Sequence, residues 1–266
     1  MIERNFLTDR ENVRLATVLC LNSLYLFFPT SQIMLLSVSW VFIQMCIGNA
    51  KRIPKRPLIL YWIRMSIYFL PYLIPSVLMS TVVDDKVVVV AKKESAILLS
   101  FVVVLIAYFI WIMFCRKSIR ILASKDYAAV TKFIKKSYIY LRLYTIIGAA
   151  ICEEVFFRGV ILSLMAPIYI LFPLSTALFI LAHWTLPWGG LYKKRDLITE
   201  FFISIINGGI YFYSHTIIPG IILHLLINCT TNVDLFLQYD RWHLRKKHYD
   251  TIALTLEQSI EDDLEI

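Results

Sequence analysis

Charge is scarce in this chain. Asp, Glu, Lys and Arg make up 17% of its 266 residues, against 59% hydrophobic residues, and a soluble domain of this length would carry more charge. With only 8 glycines and 9 prolines, a fibrous or disordered chain is excluded. The five cysteines, Cys20, Cys46, Cys115, Cys152 and Cys229, are widely spaced, lie in or beside apolar runs, and form no CxxC pair. They read as small apolar residues rather than disulfide partners or zinc ligands. HExxH is missing. No internal repeat supports an inverted-repeat transporter. The opening MIERNFLTDRENVR lacks a cleavage site after a short apolar run and is not read as a cleaved signal peptide.

What is present is a series of apolar blocks near the ~20 residues that span a bilayer. Eight candidate spans fall at 14–29, 32–49, 58–82, 95–115, 138–166, 168–187, 200–214 and 217–238. Pro29 marks the end of the first, and Pro71 and Pro75 are expected to kink the third. The fold expected is all-α, a polytopic membrane protein of about eight transmembrane helices.

The net charge of +8 would suit nucleic acid, but the basic residues lie between the apolar blocks, as membrane topology requires. No nucleic-acid partner is expected; the lipid bilayer is. Lys and Arg collect in the N-terminal stretch and at 51–56, 116–142, 193–195 and 241–247, whereas Lys86, Lys92 and Lys93 mark the opposite side. Both termini are therefore expected in the cytoplasm. The segment 116–137 is amphipathic and suits the cytoplasmic interface. The division expected is four helices plus that segment over 1–137, a four-helix core over 138–238, and a cytoplasmic tail over 239–266.

The run AAICEEVFFRGVIL at 149–162 places Glu153, Glu154 and Arg158 inside an apolar block. A charge at a helix centre costs about 2.5–3.5 kcal/mol on insertion scales, so such groups are paired, face a cavity, or work. Glu154 and Arg158 are four apart and share a face. Glu153 lies about 100° around the helix, where Arg158 cannot serve it equally. A carboxylate left without a fixed partner is free to take a proton, as a general base must. A structural ion network between helices explains the same three residues.

His183, in FILAHW, suits either a site or a bond to a backbone carbonyl. His224 and Asn228, in HLLIN, are four apart on one face, suited to chemistry or to interhelical hydrogen bonding. Three spans can bring Glu153, His183, His224 and Asn228 to a common depth. Arg64 and His215 read as structural.

The ordered set E-E-x-x-x-R, F-x-x-x-H and H-x-x-x-N on separate spans resembles the CAAX-protease and bacteriocin-processing (CPBP, or Abi) family of intramembrane glutamic endopeptidases, over about 138–236. The resemblance implies an eight-helix fold with a cavity open to the cytoplasm. It makes Glu153 the catalytic glutamate, activating water with His183. It makes His224 and Asn228 the oxyanion site and gives Glu154 and Arg158 supporting roles, with no metal. The substrate implied is a membrane-associated peptide or protein, and the EEVFFRG form looks like that of multi-pass bacterial plasma-membrane members. Three other readings stand beside it: a metalloprotease with a divalent metal such as zinc, a non-catalytic bacteriocin-immunity or peptide-binding protein, and a transporter or proton relay.

Overall fold

The computed structural model describes residues 9–79, 94–124, 126–127, 135–164, 166–185 and 194–243. The basic residues Lys86, Lys92, Lys93 and Lys193, most of the amphipathic stretch beyond 124, and the acidic tail after 243 lie outside the described residues. Every regular element described is helical. In order these are α1 (Asp9–Phe27), α2 (Ser31–Ala50), α3 (Leu58–Ile67), α4 (Ile74–Leu78), α5 (Glu94–Leu122), α6 (Lys136–Glu154), α7 (Ile168–Thr185), α8 (Lys194–Ser214), α9 (Ile218–Thr231) and α10 (Asp234–His243).

Local chemistry sets several of these ends. Thr30 caps α2, its side chain accepting from Ile33 N, which satisfies one of the first-turn donors. α3 stops at Ile67, four residues before Pro71, whose ring would clash with that carbonyl. A 3-10 turn at Leu70–Leu73 carries the chain into α4. The end of α6 runs straight into a π-helical turn, Val155–Val160, and then a 3-10 turn, Ile161–Ser163. His215 ends α8 in the left-handed region, with φ 50°, and Arg64 reaches the loop carbonyls of Lys51 and Ile53.

Among the described residues, four segments are long and apolar enough to cross a membrane: Ser31–Ala50, Leu58–Leu78, Glu94–Leu122 and Leu197–Ser214. α5 leaves Leu98, Leu105, Phe109 and Phe114 more than half exposed, an arrangement that suits lipid rather than water. Two expected boundaries move. The fourth span runs on as helix through Leu122, so the start of the amphipathic segment continues α5. The eighth is interrupted: α9 ends at Thr231 and α10 begins at Asp234. Thr230 and Thr231 turn their hydroxyls onto the carbonyls of Leu226 and Ile227, and Asn232 folds back onto the carbonyl of Asn228. These side chains compete with the helix ladder where the apolar pattern alone would continue it.

The chain forms two compact units, each drawn from both of its halves: Met1–Ala107 with Gly148–His224, and Tyr108–Ile147 with Leu225–Ile266. They cut across the division at 137 and 238 expected from the sequence, because the N-terminal helices share a core with the motif-bearing ones. In the first unit α1 packs on α2 and α7, and α7 packs on α8. Its centre is aromatic. Trp40 stacks on Phe156 with ring centroids 5.7 Å apart, Tyr72 lies against Phe156 and Phe157, and Phe157 meets Phe179 edge-on. Trp40 Nε1 donates to Thr17 Oγ1, so the indole N–H of this ring cluster is satisfied. In the second unit Tyr108 and Thr230 share a hydroxyl hydrogen bond of 2.6 Å. Arg142 donates to Asn232 Oδ1 and faces Asp234.

Candidate active site

The aromatic cluster fixes the segment that carries the charges. Phe156 and Phe157 are fully buried and sit in the π-helical turn directly after Glu153 and Glu154. Such turns leave carbonyls without their usual helical donors and recur at functional sites. Here Ser175 Oγ donates to Phe157 O at 2.6 Å. The two glutamates therefore stand on the last turn of α6 above a packed base.

Glu154 is completely buried and heavily partnered. Its Oε1 accepts from His224 Nδ1 at 2.9 Å and from Asn207 Nδ2 at 2.9 Å, and it lies 3.2 Å from Arg158 NH1. Asn207 Nδ2 also reaches Gly220 O at 3.0 Å. Arg158 makes no hydrogen bond of good geometry. Its compensation is the Glu154 charge and the Phe179 ring, whose centroid is 4.5 Å away, a cation–π contact in a dry setting.

Glu153 differs. Its Oε2 is buried without a hydrogen-bond partner and lies 3.5 Å from His183 Nε2 and 3.8 Å from His224 Nε2. Both imidazoles are oriented from behind. His183 Nδ1 donates to Phe179 O at 2.9 Å, since a carbonyl can only accept, and His224 Nδ1 donates to the Glu154 carboxylate. Each ring thus turns Nε2 toward Glu153. The Phe179 ring lies against both, with centroids 4.5 Å from His183 and 5.7 Å from His224.

Of the residues singled out from the sequence, Glu153, Glu154, Arg158, His183 and His224 come together within the first unit. Asn228 belongs to the second unit, where its carbonyl accepts from Thr231 Oγ1 and Asn232 Nδ2. Two neighbours were not anticipated, both on α8. Glu200 Oε2 lies 3.6 Å from His183 Nε2, and Asn207 holds Glu154. A lone amide in the apolar run FFISIINGGIYFY is the signal that would have pointed to Asn207. Among the described residues, no group of three or more His, Cys, Asp or Glu is arranged to hold a metal ion.

Residues 135–230 match the family model described as Rce1-like, type II CAAX prenyl endopeptidase Rce1-like. No curated protein and no solved structure matches the chain. The matched stretch contains every residue of the three motifs, together with Glu200 and Asn207. Over 135–230, a stretch shorter than half of the chain, the sequence is similar to the Rce1-like type II CAAX prenyl endopeptidases.

Proposed function

We propose that the chain is an intramembrane glutamic endopeptidase that hydrolyses a peptide bond of a membrane-associated peptide or protein. The observation that carries this reading is the placement of Glu153 Oε2, without a hydrogen-bond partner, within 3.8 Å of two imidazole Nε2 atoms. Separations of 3.5 and 3.8 Å are too long for good direct hydrogen bonds and suit a water held among the three groups.

In this mechanism Glu153 takes a proton from that water as its oxygen attacks the scissile carbonyl, with His183 orienting the water. His224 faces the developing oxyanion; the H-x-x-x-N motif is the support for giving Asn228 the same role. In its present tautomer His224 must gain a proton at Nε2 before it can donate there, and the Glu154 carboxylate at Nδ1 offsets the charge that results. Arg158, 3.2 Å from Glu154, compensates its charge and holds it in place. The eight-span arrangement with cytoplasmic termini, and a bacterial plasma membrane as its setting, belong to the same proposal. Their support is the charge pattern and the motif form.

The test uses the full chain in phospholipid nanodiscs with internally quenched peptides, farnesylated on a C-terminal CAAX sequence or unlipidated. Glu153→Gln is expected to lower kcat by about 10²–10⁴, the range of a general base, while the protein still inserts. Wild-type cleavage by Glu153→Gln would sink the assignment.

A further inference from the structure

Glu200 stands outside the three motifs, yet its carboxylate points at the same nitrogen as the proposed base. His183 Nε2 lies between Glu153 Oε2 at 3.5 Å and Glu200 Oε2 at 3.6 Å. Both oxygens are buried without a hydrogen-bond partner. Because His183 Nδ1 already donates to Phe179 O, a neutral ring would present a bare lone pair to two carboxylates. That arrangement is repulsive, and a proton on Nε2 removes the repulsion. The other charged group beside this ring, Arg158, lies against Phe179 and is paired with Glu154.

We propose that Glu200 is a positioning residue that keeps a proton on His183 Nε2, so that His183 can deliver it to the leaving amine. This inference rests on the peptidase reading above. The sequence of steps balances. Water attacks the carbonyl carbon and its proton passes to Glu153. The C–N bond of the tetrahedral intermediate breaks, and the departing nitrogen takes the proton of His183 Nε2. Glu153 then returns its proton to His183 Nε2, restoring the starting state with one water consumed. Glu153 handles the proton of the water, and the Glu200–His183 pair supplies that of the amine. Without Glu200, His183 loses one of the two negative neighbours that hold its proton.

The deciding measurement needs no substrate. Full-length protein labelled with ¹⁵N-histidine is placed in nanodiscs, and the His183 signals are assigned by their loss in His183→Gln; the chain has 5 histidines. At pH 7 the wild-type Nε2 signal is expected to be that of a protonated nitrogen. Glu200→Gln should raise the bare-nitrogen signal at least fivefold, and Glu200→Asp should restore it toward wild type. An unchanged Nε2 signal in Glu200→Gln overturns the proposal.

Cleavage of the quenched peptides supplies a second criterion. Glu200→Gln should lower kcat at least tenfold with KM within twofold, because the substrate is still bound. A raised KM with kcat retained would make Glu200 a substrate-reading group and would also overturn the proposal. If Glu200→Gln fails to insert, Glu200→Asp against Glu200→Asn gives the same contrast of charge at equal shape, and equal behaviour of that pair refutes the idea. Cleavage that survives Glu153→Gln would instead defeat the peptidase mechanism, leaving the Nε2 measurement to judge Glu200 alone.

Discussion

Glu154 and His224 are joined by a 2.9 Å hydrogen bond between Oε1 and Nδ1, and this bond sets the direction in which His224 presents Nε2. The same oxygen receives Asn207 and faces Arg158. One buried carboxylate therefore orients an imidazole, compensates a guanidinium and ties α6 to α8 and α9. The neighbouring Glu153 is left to face the imidazoles.

Glu154→Ala should be more damaging to stability than any other single change in the site. Removing one partner of a buried ion pair leaves Arg158 uncompensated, at a cost of about 3–5 kcal/mol. The double variant Glu154→Gln/Arg158→Met, which removes both charges and keeps volume, should regain most of that loss while staying inactive. Denaturant unfolding of the wild type, Glu154→Gln, Arg158→Met and the double variant in detergent measures the coupling. Additive losses would show that the pair is not coupled.

Asn207 makes a prediction that depends on sign. Its Nδ2 donates to Glu154 Oε1 and Gly220 O. Asn207→Ala removes the donor and should cost about 1–3 kcal/mol for the acceptors left buried. Asn207→Asp keeps the shape but sets a second carboxylate against Glu154, so it should be the worse of the two in both melting temperature and cleavage. Equal losses would mean that Asn207 acts through packing alone.

Two glycines on neighbouring helices separate close approach from helix propensity. A Cβ at Gly220 would stand 3.3 Å from both Asn207 Cγ and Glu154 Oε2, whereas one at Gly209 would meet nothing within 4 Å. Gly220→Ala should therefore shift the Glu154 carboxylate and cost about 1–3 kcal/mol, with a fall in kcat. Gly209→Ala should be neutral or stabilising by up to about 1 kcal/mol. Melting curves and cleavage rates of the two variants check both directions.

The parts of the site written within one helix were legible before any coordinates. The spacing of Glu154 and Arg158 forecasts a shared face, and the two groups lie 3.2 Å apart. Helix positions were likewise legible, because apolar runs and breakers such as Pro29 and Pro71 act locally. The π-helical turn at Val155–Val160 was not, since no breaker precedes it and its free carbonyl is satisfied by Ser175 from another helix. Glu200 was hidden for a similar reason. At the head of an apolar block a glutamate reads as a solvated boundary, and only tertiary packing turns it onto His183. The turn at Asn232 was masked because the apolar pattern carries on into α10 while hydroxyl and amide side chains end the helix.

Metal dependence separates the glutamic mechanism from its nearest rival. Both histidines donate Nδ1–H to an oxygen, Phe179 O in one case and Glu154 in the other, and metal-binding histidines are oriented in the same way. Ring orientation alone therefore fits either chemistry. The two differ in what activates water: a carboxylate base needs no ion, whereas a metal lowers the pKa of the water it binds. With Glu153 as base, protein dialysed against chelator should cleave the quenched peptides at the undialysed rate, and added zinc should give no increase. Activity lost on chelation and restored by zinc would reassign Glu153, His183 and His224 as ligands. It would also remove the ground for a proton on His183 Nε2, because a coordinating nitrogen must offer its lone pair to the metal.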